Sequence, residues 1–178
     1  MRRKIIILFF LLILSTLVAC SLDKNEVKDS PLYEGLDLTI GVVGKIPDVR
    51  ERNIVFKSID LNDIRKGNLS SKYDAIFIMK GQLIEAARAP YAKIYKNSGI
   101  PFFFIESKKS HVPFVEAEID YEAFPYTKSG DYASGFYQSG DIEKSWGYGL
   151  FNDTVNEVNI LDVFSRIFMT IEQVNMKS

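Results

Sequence analysis

The hydrophobic positions of this chain fall into two kinds of pattern. Short, largely apolar runs stand at Leu38–Val43, Tyr73–Met79 and Ile100–Ile105. Runs of this length are too short for independent helices and predict strands buried on both faces. Residues 53–58 (NIVFKS) predict a shorter strand, and 61–66 a short helix with Asp60 as its N-cap. Between the second and third runs, Leu83, Ile84, Ala87, Tyr91, Ile94 and Tyr95 recur at three- and four-residue spacing, which predicts helix. Pro90 lies inside that stretch, so the helix is either kinked or split with Pro90 in the first turn of the second piece. Gly99 is a natural stop.

Beyond Pro113 the period changes. Val115, Ala117, Ile119, Tyr121 and Ala123 alternate with Glu116, Glu118, Asp120 and Glu122. Period two predicts an extended strand with the four carboxylates on one face. Residues 124–151 hold eight aromatics and five glycines, and the triplet Ser-Gly-Asp occurs at 129–131 and again at 139–141. Turn chemistry between aromatic stretches predicts a small antiparallel meander over 115–151. The last pattern is helical. Val155, Val158, Leu161, Phe164, Ile167, Phe168 and Ile171 form an apolar stripe, and Thr154 with Glu157 fits a capping box. Strand, helix and strand over 73–105 predict a βαβ unit. The fold expected for 37–178 is therefore a single α/β domain. Its sheet is small, mostly parallel and Rossmann-like or flavodoxin-like, with flanking helices and a C-terminal amphipathic helix.

The N-terminus follows another logic. Arg2, Arg3 and Lys4 precede an unbroken apolar run from Ile5 to Leu14, and the chain then reaches Leu17-Val18-Ala19-Cys20, its only cysteine. The run is short for a membrane span and has the parts of a secretory signal. LVAC resembles the lipobox of bacterial lipoproteins. The resemblance implies that residues 1–19 are a signal cut before Cys20. It also implies that the Cys20 thiol is acylated, anchoring the chain in the lipid bilayer on the extracytoplasmic face of the cell membrane. Residues 20–36 are polar and aperiodic, and they read as the lipidated cysteine followed by a flexible tether. Removing the three N-terminal cations takes the net charge from −1 to −4, which excludes nucleic acid as a partner. With Cys20 used as an anchor, no cysteine is left for a disulfide, a thiolate metal site or nucleophilic catalysis.

Candidate chemistry in the domain is sparse. GVVGKI (41–46) follows a strand, but Thr39 and Ile46 stand where a phosphate loop needs glycine and a hydroxyl, so it is rejected. No dinucleotide fingerprint, calcium loop or metal set is present, and no cofactor is expected. His111 is the only histidine and lacks a nucleophile elbow near it. The acidic row reads as a solvated face. In open α/β sheets ligands bind beyond the carboxyl ends of the strands. Those tips carry Lys45, then Lys80 and Gly81, then Glu106 and Lys108. They read as a pocket for a small anionic solute or as ordinary loop lysines. The aromatics Tyr137, Trp146 and Tyr148 read as a recognition surface for an envelope protein or as strand core.

Residues 73–106, YDAIFIMKG…NSGIPFFFIES, are similar to the strand–helix–strand centre of substrate-binding lipoproteins of ABC importers. The chain is far shorter than those two-lobed proteins, so the resemblance transfers no binding residues. The same segment resembles the glutamine-amidotransferase-like fold, but the nucleophilic cysteine of that fold is missing. Together these readings predict a lipid-anchored, non-catalytic binding or protein-interaction module. The alternatives are a solute-binding protein and a carboxylate-dependent hydrolase assisted by His111. An exposed patch of Trp146, Tyr148 and Tyr137 would favour a protein partner, and a deep pocket at Lys45, Lys80 and Glu106 a solute.

Overall fold

The computed structural model describes residues 24–28, 30–128 and 130–176. Cys20 and the signal-like residues 1–19 lie outside the described residues. The chain forms a six-stranded sheet in the order β2-β1-β3-β4-β5-β6. β1 (Leu38–Val43), β2 (Ile54–Ile59), β3 (Ala75–Ile78) and β4 (Phe102–Ile105) are mutually parallel. β5 (Asp131–Ser139) runs antiparallel to β4, and β6 (Ile142–Gly149) antiparallel to β5.

Among the described residues five α-helices flank the sheet: α1 (Leu61–Lys66), α2 (Leu83–Ala86), α3 (Ala89–Asn97), α4 (Val112–Val115) and α5 (Glu157–Asn175). The capping box forms reciprocally between Asp60 and Asp63 at the start of α1. Pro90 sits in the first turn of α3, so the helical stretch is split rather than kinked.

The apolar runs divide by alternation. Ile76, Ile78, Phe102, Phe104 and Phe136 point to the face covered by α1–α4, with Ile64, Leu83, Tyr95 and Phe114 packed on them. Ala75, Phe77, Phe103, Ile105 and Ala133 point to the opposite face, where α5 contributes Val163, Phe164, Ile167, Phe168 and Ile171. Both faces of each central strand are therefore dry, which is why their sequences show no polar alternation. Phe77 is the hub of the α5 side, with rings of Phe103, Phe164 and Phe168 at 5.7, 6.0 and 6.2 Å.

Four expectations are corrected. The acidic row is not a strand. After α4 the backbone turns repeatedly through 117–124, and the antiparallel part is the hairpin 131–149. Lys109 is the reason. It is buried, with Nζ donating to the carbonyls of Tyr121 and Glu122 and lying 4.6 and 5.2 Å from the centres of the Tyr121 and Tyr126 rings. A desolvated ammonium gathers carbonyls and aromatic faces around itself, and the segment wraps it instead of extending.

The cap of α5 is Asn156, which accepts from the Asn159 amide, in place of the Thr154–Glu157 box, and Val155 is 70% exposed. The buried stripe of α5 is shifted accordingly, running from Val163 to Val174. Finally, 24–28 and 30–36 are a strap laid along α5 rather than a free tether. The Val27 amide donates to Asn159, the Ser30 hydroxyl to Asp162, and the Leu36 amide to Glu172. Tyr33 is buried against Phe168 at 6.0 Å.

Candidate functional site

The carboxyl ends of β1, β3 and β4 open into a cleft of about 660 Å³. Its position follows from the strand order. β1 is followed by β2 on one side and has β3 on the other, so the loops leaving β1 and β3 diverge and leave a crevice between them. Gly44 turns the chain at the tip of β1 with φ +112, and a Cβ there would lie 3.0 Å from that of Met79. A side chain at 44 would therefore be strained and would crowd the cleft wall. The β1–β2 connection that follows has no helix, and Ile46, Pro47 and Asp48 line the cleft directly.

Four of the five candidate ligand residues meet here: Lys45 from the β1 tip, Lys80 and Gly81 from the β3 tip, and Glu106 from the β4 tip. Lys80 Nζ is paired with Glu106 Oε2 at 3.3 Å. This exposed pair contributes little stability and serves to position charge. Lys108 is not among the cleft residues. Its side chain is exposed, and its carbonyl accepts from the Thr127 amide, tying down the turn segment.

The sequence reading missed the rest of the wall. Tyr132 of β5 and Asn156, Glu157, Ile160, Leu161 and Phe164 at the start of α5 complete it. No local motif marks them, because only the placement of α5 over the sheet brings them to the strand tips. Burial pushes the Tyr132 hydroxyl up to about 12, and the nearby Glu106 carboxylate adds to the effect. The phenol therefore stays neutral and can donate or accept.

Two lysines share the cleft with three carboxylates, Asp48, Glu106 and Glu157, over an apolar wall of Met79, Ile160, Leu161 and Phe164. Such a lining complements a ligand with both signs of charge and an apolar part. Its residues include no Ser, Thr, Cys or His, and the one hydroxyl in the lining is the phenol of Tyr132, which burial holds neutral.

The other candidates lie elsewhere. His111 is half-buried with its ring stacked on Phe136 at 5.5 Å, and it makes no hydrogen bond to a carboxylate among the described residues. Burial pulls its imidazole below the ordinary range, with Glu143 and Glu116 opposing. Tyr137 and Tyr148 are buried, and Trp146 is half-buried and stacked on Phe103 at 6.1 Å. The Tyr148 hydroxyl donates to Thr170 at 2.7 Å, which docks β6 on α5. These three aromatics are therefore packing residues of the hairpin rather than an exposed recognition patch. Gly135 belongs to the same packing, since a Cβ there would come within 2.8 Å of the Phe103 ring and 3.0 Å of Trp146.

The class this fold defines is an open α/β sheet with its first five strands in flavodoxin-like order and the fifth reversed. Comparison with protein families, with curated proteins and with solved structures finds no match to this chain. Among the described residues no helix is long and apolar enough to cross a membrane, and no group of His, Cys, Asp and Glu could hold a metal ion.

Proposed function

We propose that this chain is a lipid-anchored extracytoplasmic binding protein that holds a small ligand in the cleft at the carboxyl edge of its sheet. The observation that carries the reading is the convergence of Lys45, the Lys80–Glu106 pair and the apolar start of α5 on one cleft of about 660 Å³, a size suited to a small molecule. The mixed charge of the lining favours a zwitterionic or polar–apolar ligand over a simple anion. The loss of an exposed aromatic patch weighs against a protein partner for Tyr137, Trp146 and Tyr148. The placement of His111 against Phe136 weighs against a hydrolase. The anchor rests on the LVAC motif at 17–20.

The cleft is tested by thermal-shift screening of residues 21–178 against amino acids, short peptides, sugars, nucleotides and anions. A ligand at a hundred times its Kd stabilises the fold by about 2.7 kcal/mol, and Tm rises with its concentration. Lys80→Ala should remove the shift while leaving the unliganded Tm within about 1–2 °C, because its exposed pair contributes well under 1 kcal/mol. A panel that produces no shift would overturn the small-ligand reading, and crosslinking on intact cells would then seek a protein partner. The anchor has a separate test. Cys20→Ser should abolish acyl labelling and leave the precursor uncleaved, and unchanged processing would overturn it.

A further inference from the structure

We infer that the carboxyl edge of the sheet, the edge bearing the cleft, is the side of the molecule held against the lipid bilayer. The inference rests on the anchor reading above and adds an orientation to it. The argument begins with where the strap is fastened. Asn152 donates to the Lys24 carbonyl at 2.9 Å, Asn156 to the Asn25 carbonyl at 3.2 Å, and Asn159 to the same carbonyl at 2.7 Å. Asn159 is fully buried, and its side chain also accepts from the Val27 amide at 2.9 Å and donates to the Thr154 carbonyl at 2.9 Å. A buried amide with its hydrogen-bonding groups engaged is costly to undo, so Asn25 and Val27 are pinned at the first turn of α5, with Lys24 next to them held by Asn152.

From Lys24 the covalent distance to Cys20 is four residues. Even fully extended, four residues reach only about 14 Å. A domain of this length has a radius of gyration of about 15 Å. The leash is thus shorter than the domain is wide, and an acyl group on Cys20 must hold the Asn152–Asn156 side toward the lipid. The opposite edge, with the β5–β6 turn at Gly140 and Asp141, is held away.

The surface beside the fastening point fits that position. Phe151 is 43% exposed, Val155 70% and Ile46 41%, all at the carboxyl edge. Three exposed apolar side chains around one site suit the headgroup–acyl boundary, where such groups gain by partial burial. Asn156 both fastens the strap and lines the cleft, so the cleft lies on this membrane-facing side.

The test uses the full acylated chain in vesicles of phosphatidylcholine and phosphatidylglycerol. Acylation blocks the only native thiol, so an introduced cysteine takes a fluorophore alone. Val155→Cys is labelled in one sample and Asp141→Cys in another, and both are exposed positions. Phe151→Cys replaces Val155→Cys if that variant does not fold. The orientation requires a blue shift and strong quenching by bilayer-borne spin-labelled lipid at 155, and neither at 141. Equal quenching at the two positions, or stronger quenching at 141, overturns the orientation while the anchor stands. A chain that carries no acyl group by mass spectrometry overturns the anchor reading, and the orientation with it.

Discussion

Two residues of the loop after β4 occupy the left-handed region without being glycine, asparagine or aspartate: Glu106 at φ 58 and Lys108 at φ 54. Such a conformation costs a residue with a Cβ about 1–2 kcal/mol. The strain sits beside the cleft, where strained backbone commonly marks function, and it turns Glu106 toward Lys80. Lys108 has no place in the cleft, so its strain can be relieved without touching the site. Lys108→Gly should raise stability by about 0.5–1 kcal/mol in urea unfolding, the relief being partly offset by the greater freedom of glycine in the unfolded chain. An unchanged or lower midpoint would count against strain at this position.

His111 gives a pH dependence. Burial lowers its folded-state value below 6.5, so as pH falls the unfolded chain takes up the proton first. Its contribution is whole above about pH 6.5 and is lost as pH falls through the lower folded value. His111→Phe should therefore flatten the decline in stability between neutral pH and about pH 5 relative to the parent. Denaturant melts of both proteins across that range check it.

At the scale of elements, the decisive pairing is the strap with α5. Asn159, Asp162, Ser165, Phe168 and Glu172 recur every three or four residues along α5, and strap or neighbouring residues meet each of them. Arg50 joins the two by donating to Ser165 and to the Pro31 carbonyl. Tyr33→Ala should cost about 3 kcal/mol, the price of emptying a buried aromatic site. Tyr33→Phe should cost about 1 kcal/mol, because the hydroxyl's bond to the Leu36 carbonyl at 3.0 Å and its interaction with the Glu172 carboxylate are lost while the ring stays. If Tyr33→Ala left the unfolding midpoint unchanged, the strap would not belong to the folded unit.

The strap was hard to read because its own sequence has no period. The signal lay in the polar stripe of α5 that it satisfies, 120 residues or more away. The segment around the acidic row misled for a related reason. Its alternation is real, but buried Lys109 outweighs a weak β preference among four carboxylates.

For the whole molecule, stability rests on the shared α5-side core. Phe77→Ala removes the ring that touches Phe103, Phe164 and Phe168 and should cost about 3–5 kcal/mol. Domains of this size are stable by only about 5–15 kcal/mol, so a fall of several degrees or more in Tm is expected by calorimetry. A shift below a degree would mean that the aromatic hub is not central.

Read alone, the sequence specifies the α/β class, the buried parallel strands, a break of the helix near Pro90 that is either a kink or a split, and a long C-terminal helix, because each follows from local period or backbone restriction. It also named the strand tips at Lys45, Lys80, Gly81 and Glu106, because in a parallel sheet those ends lie together whatever the side chains. Packing across the sheet is what sets Lys108 apart from the cleft and makes Tyr137 and Tyr148 core. The same packing makes the start of α5 one wall of the cleft and fastens the strap beside it. Those are relations between elements far apart in the chain, fixed by the packing of one helix across a sheet, and no local pattern encodes them.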